Sequence, residues 1–106
     1  MSANVTANFW NGYLAYLTDD YETAVSEWKA SAEQGDPESQ FRLGTMYLSG
    51  EGVIQDYKEA AKWYTKAAEQ GNAKAQFNLA LMYANGEGVI QDDVYAHMWL
   101  NIASSN

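Results

Sequence analysis

Two glutamates, Glu51 and Glu87, each stand between glycines, and with the single histidine, His97, they are the side chains best suited to acid–base chemistry. Paired carboxylates carry hydrolysis when their carboxyl groups lie roughly 5–10 Å apart across a cleft. Here the two recur 36 residues apart, at equivalent points of a repeated segment. That spacing sets them one layer apart on the same edge, as solvated turn residues. His97 follows Ala96 on a helical stretch with no acid or serine at triad-like spacing, and reads as a surface or interface histidine. No serine sits in a Gly-x-Ser-x-Gly setting. Gly50-Glu51-Gly52 follows a helix and not a strand, so it is no dinucleotide fingerprint. No Asp-x-Asp-x-Asp-Gly run surrounds the glutamates, and calcium is not expected. Cysteine is absent and histidine single, which removes disulfides, thiolate zinc, a cysteine nucleophile and a His-rich metal site. No cofactor and no metal are expected.

Charge narrows the partners. The 106 residues carry 14 acidic and 6 basic side chains, a formal net charge of −8. Such a chain is not expected to neutralise nucleic-acid phosphates or to dock on an anionic membrane. No apolar run reaches the length of a membrane span. The first basic residue is Lys29, so the positive start of a secretory signal is missing. With 47% hydrophobic and 19% charged residues the chain is a folding sequence. A soluble protein of the bacterial cytoplasm or periplasm fits, without a choice between the two.

The elements that position these residues follow from an internal repeat. Residues 20–55 and 56–91 align without a gap, and 18 of the 36 positions are identical. The shared runs include Glu33-Gln34-Gly35 over Glu69-Gln70-Gly71 and Gly50-Glu51-Gly52-Val53-Ile54-Gln55 over Gly86-Glu87-Gly88-Val89-Ile90-Gln91. A partial third copy puts Asp92, Ala96, Trp99 and Ala103 over Asp56, Ala60, Trp63 and Ala67.

Each period holds two helices. In residues 56–70, Ala60, Trp63, Tyr64, Ala67 and Ala68 recur at three- and four-residue spacing, the stripe of an amphipathic helix. Asp56 is its expected N-cap, with Glu59 completing a capping box and Gly71 beyond the last turn. Residues 73–84 form the second stretch, ended by Asn85-Gly86. Asp36-Pro37 opens the equivalent helix one repeat earlier. Small residues such as Gly44 and Ala80 let helix axes approach, and aromatics fill the space between layers. One hairpin cannot bury its apolar face alone, so copies stack. The expected fold is all-α: a right-handed αα-superhelix of three helix–loop–helix repeats and six helices, one domain with units at about 1–35, 36–71 and 72–106. In the first unit the Gly-Glu-Gly loop shrinks to Thr18-Asp19.

Leu43-Gly44, Tyr47, Gly50-x-Gly52-Val53-x-x-Asp56, Ala60, Trp63-Tyr64, Lys66-Ala67-Ala68 and Glu69-Gln70-Gly71 resemble the Sel-one-like repeat, a relative of the tetratricopeptide repeat with a long loop inside each unit. The resemblance covers nearly the whole chain and implies an adaptor or scaffold that holds partner proteins. Some bacterial relatives were described as binding or hydrolysing β-lactams. Those are cysteine-rich, with one disulfide in each repeat, and that property is not carried over to a chain without cysteine.

By analogy with tetratricopeptide arrays, the leading helices line a concave groove. The residues resembling groove positions are Glu38, Phe41, Arg42, Thr45, Leu48 and Ser49, then Lys74, Phe77, Asn78, Leu81, Ala84 and Asn85. Phe41 and Phe77, identical in both copies, read first as core. Arg42/Asn78, Thr45/Leu81 and Ser49/Asn85 differ between copies, as a binding surface does. A neutral or basic-tailed peptide suits the acidic balance.

A second candidate surface breaks the internal symmetry. Lys58, Lys62 and Lys66 become Val94, Met98 and Ile102 in the third copy. A terminal repeat ordinarily turns polar on its outer side. This apolar stripe is expected to meet a further helix, a second copy of the chain or a partner. The chain stops at Asn106, one residue before the position of Gly35 and Gly71, which fits a piece of a longer array. The leading expectation is a protein–protein interaction module that performs no chemistry. The alternatives are a hydrolase using the loop glutamates or His97, and a structural spacer.

Overall fold

The computed structural model describes residues 9–105; residues 1–8 of the expected first unit, and Asn106, lie outside the described residues. Among the described residues six helices follow one another: α1 (Phe9–Leu17), α2 (Tyr21–Glu33), α3 (Pro37–Ser49), α4 (Tyr57–Glu69), α5 (Ala73–Asn85) and α6 (Asp93–Ser105). No strand occurs among the described residues. Each helix packs chiefly on its neighbours in sequence, giving an elongated helical-repeat superhelix of 46 × 27 × 19 Å.

Local chemistry sets the helix ends. Asp36 Oδ2 accepts from the Ser39 N–H at 2.8 Å, and Asn72 Oδ1 from the Ala75 N–H at 2.9 Å. Gly50 and Gly86 close α3 and α5 in the left-handed conformation, at φ 77° and 68°. The expected capping box at α4 forms by half. Asp56 Oδ1 accepts from the Glu59 N–H at 3.2 Å, but the Asp56 N–H donates to the Tyr47 carbonyl at 2.9 Å, leaving Glu59 nothing to accept there. Asp92 repeats that bond with Tyr83 at 3.0 Å, and Asp20 with Ala15 at 2.9 Å. The shortened first loop therefore closes on the same backbone bond as the long loops, so α1–α2 pairs as α3–α4 does.

The core runs between the layers in two clusters. One gathers Ala24, Trp28, Leu43 and Met46 with Trp63; the other gathers Ala60, Tyr64, Leu79 and Ala80 with Trp99. Each leading helix thus lies on the second helix before it, and Trp63 and Trp99 each reach back one layer. Buried glutamines seal the joints: Gln40 Nε2 donates to the Ala32 carbonyl at 3.1 Å, and Gln76 Nε2 to the Ala68 carbonyl at 3.0 Å.

Candidate interaction surfaces

The leading helices α3 and α5 divide the groove candidates into side chains already engaged and side chains left open. On α3, Arg42 is engaged. Its Nε lies 3.4 Å from Glu38 Oε2, and its guanidinium sits 5.6 Å from the Tyr13 ring and 5.9 Å from the Phe9 ring. Glu38 also accepts from Asn72 Nδ2 at 3.3 Å. Thr45 Oγ1 lies 2.9 Å from the Tyr64 hydroxyl, within hydrogen-bond distance. Burial pushes the Tyr64 hydroxyl above its usual range, and the bonds to Thr45 and Asn78 oppose that shift. Ser49 Oγ turns to Glu51 Oε1 at 3.3 Å. Leu48 and Ala84 are half-buried, while Leu81 and Asn85 are exposed on α5.

An open pocket of about 600 Å³ gathers four of the candidates, Phe41, Lys74, Phe77 and Asn78, around a mostly apolar floor. Leu100, Ala103 and Ser104 of α6 line it as well, and Ala73 completes the lining. Phe77 is 48% exposed there, whereas its repeat mate Phe41 is half-buried, with its ring 5.8 Å from the Tyr64 ring. Lys74 Nζ stands 6.0 Å from the Phe41 ring at the rim. Sequence reasoning missed the α6 lining. The signal was in the register, because Leu100 holds the position at which Tyr64 faces Phe41.

The α6 stripe lies on another side of that helix. Val94 is 82% exposed, and Met98 and Ile102 are also at the surface. Their counterparts Lys58, Lys62 and Lys66 remain exposed although α5 packs on α4. Lys62 and Lys66 there cover the Trp63 ring at 5.4 and 5.9 Å. The positions α4 does bury beneath α5, Ala61 and Ala68, are His97 and Ser104 in α6, and both are exposed.

Glu51 and Glu87 sit in separate loops that fold back on the preceding layer. A Cβ at Gly52 would come within 2.6 Å of the Tyr21 carbonyl oxygen, and one at Gly88 would collide with the Tyr57 carbonyl. Neither glutamate lines the pocket, and nor does His97. Among the described residues no group of three or more His, Cys, Asp or Glu is placed to hold a metal ion. No described helix is long and apolar enough to cross a membrane.

The Sel1 repeat family model matches residues 37–72 and 73–106. A Sel1 repeat protein from Oxalobacter formigenes superposes with a TM-score of 0.87 at 39% identity, over 92% of this chain and 40% of that one. The protein c5321, a protective antigen of uropathogenic Escherichia coli with an SLR fold, superposes at 0.86 and 36% identity, over 92% of this chain and 22% of its own. The cysteine-rich protein B of Helicobacter pylori shares the fold at 0.76 and 21% identity, over 79% of this chain and 63% of its own. The chain thus spans less than two thirds of each of these proteins. No curated protein matches it. Sel1 repeat proteins generally act as protein–protein interaction modules. With two contiguous repeat matches over most of its length and solved Sel1 structures superposing on nearly all of it, this chain belongs to the Sel1 repeat family.

Proposed function

We infer that this chain is a non-catalytic interaction module that holds a segment of a partner protein, with the pocket between α3, α5 and α6 as its anchor point. The half-exposed Phe77 above an apolar floor carries this reading. An aromatic ring left open to water in a concave, mostly apolar pocket is what an anchor side chain recognises. Burying one Leu- or Phe-sized anchor contributes about 1.5–3 kcal/mol. Lys74 and Asn78 at the rim supply an ammonium and an amide for a partner carbonyl or carboxylate.

Selection of a random-peptide display library on the protein tests the reading. Enriched peptides should share an aromatic or long aliphatic anchor and lose binding at least tenfold on Phe77→Glu. Peptides that bind the Phe77→Glu variant equally well would move the site elsewhere.

A further inference from the structure

We propose that the outer face of α6 is a second docking surface, and that its occupant is a cationic amphipathic helix of a partner protein. The proposal rests on the interaction-module reading but uses a surface apart from the pocket. Val94, Met98 and Ile102 stand at i, i+4 and i+8, and form one straight ridge about 12 Å long at 1.5 Å per residue. Ile90, in the preceding loop, is 89% exposed. Tyr83, Val89 and Tyr95 line an open cleft of about 570 Å³ with Ile90 and Asp92, and the two tyrosine rings meet edge-on at 4.6 Å.

An adjoining repeat would not cover this ridge. In α4 the same three positions stay exposed under a stacked layer, as Lys58, Lys62 and Lys66. The face therefore belongs to the outside of the superhelix, where three lysines have been exchanged for three apolar side chains.

Charge selects the occupant. No Lys or Arg follows Lys74, so the lysines of this outer face, Lys58, Lys62 and Lys66, all belong to α4, while Asp92 and Asp93 stand at the start of α6 and Glu87 in the loop before it. The surface is apolar along its crest and acidic at one end, which complements a helix with an apolar stripe and basic flanks. A second copy is a poor fit, because each chain carries −8 and like charges repel. An extended strand is a poor fit too, because a helix offers no open backbone edge to pair with. A partner helix lays its own i, i+4 ridge beside that of α6.

Fluorescence anisotropy with labelled Leu/Lys peptides of about 18 residues, long enough to form helix, tests the proposal. One peptide carries Leu on a single helical face, one has the same composition in scrambled order, and one has Glu for Lys. The facial Leu/Lys peptide should bind at least tenfold tighter than both others and weaken as salt rises. The triple variant Val94→Gln, Met98→Gln, Ile102→Gln should weaken it at least tenfold, and Phe77→Glu should leave it within twofold. Because Met98 and Ile102 are partly packed, Val94→Lys alone serves as the second variant, with at least a threefold loss expected. Equal binding of the scrambled peptide, indifference to the α6 variants, or loss on Phe77→Glu alone would overturn the proposal. Sedimentation velocity supplies the remaining arm, since self-association abolished by the triple variant would make a second copy the occupant.

Discussion

The Tyr64 ring lies directly over Gly44: a Cβ at position 44 would come within 2.8 Å of the ring and 3.2 Å of the Ala60 carbonyl oxygen. The pair recurs as Gly12 and Trp28, where a Cβ would collide with the indole, and it relaxes to Ala80 and Leu100 in the last layer. Small residues on the leading helices thus make room for one large side chain per layer. Gly44→Ala should destabilise the fold, because overpacking costs about 1–3 kcal/mol against a helix-propensity gain of roughly 1 kcal/mol. Joined with Tyr64→Leu, which copies the Ala80/Leu100 pairing, part of that cost should return. Urea unfolding of the two single variants and the double closes the cycle, and additive losses would count against the steric pairing.

Tyr64 also predicts an alkaline limit to stability. Its hydroxyl is raised above the ordinary value of 10.0, chiefly by burial. Above pH about 10 the unfolded chain releases this proton while the native state keeps it. Unfolding free energy therefore falls as pH rises through that range, and it is indifferent to this group below it. Tyr83 is raised in the same direction by burial and the neighbouring Tyr95 and Asp92. Tyr64→Phe should cost about 1 kcal/mol at neutral pH through the lost hydrogen bonds, and should flatten the alkaline decline without abolishing it. Thermal unfolding from pH 8 to 11 checks both effects.

Arg42 is expected to tether α1. Its guanidinium faces the Phe9, Tyr13 and Phe41 rings while pairing with Glu38. Arg42→Lys keeps the charge but loses the planar stacking group, at a cost of about 1 kcal/mol. Amide exchange should quicken in α1 and stay unchanged in α5 and α6. Uniform quickening would show that Arg42 supports the whole stack.

Buried and exposed glutamines should separate cleanly. Gln40 binds the Ala32 carbonyl and also accepts from Gln70 Nε2 at 2.9 Å, whereas the exposed Gln55 donates to the Leu48 carbonyl at 2.8 Å. Gln40→Ala leaves the buried Ala32 carbonyl without its side-chain donor and should cost about 1–3 kcal/mol. Gln55→Ala, where water replaces the lost bond, should cost less than about 1 kcal/mol. Denaturant midpoints at constant slope decide it.

The groove candidates show how far spacing alone reaches. Repeat-to-repeat variation singled out Arg42, Thr45 and Ser49 as free to bind, yet each has found a partner within the fold: Glu38, Tyr64 and Glu51. Variation between copies marks positions the stack does not fix, and each copy then fills them with its own local bonds. The capping box failed at Glu59 for a related reason, since the Tyr47 carbonyl reached the Asp56 N–H first.

The sequence by itself determined the six helices, their ends and their order, because caps, left-handed glycines and the 36-residue period act within a few residues of one another or by strict repetition. Only the tertiary structure decided that Leu100, Ala103 and Ser104 complete the pocket around Phe77, and that Val94, Met98 and Ile102 lie away from the stacking side. Those outcomes depend on which face of each helix meets the neighbouring layer, and the contacts that fix it join side chains a full repeat apart.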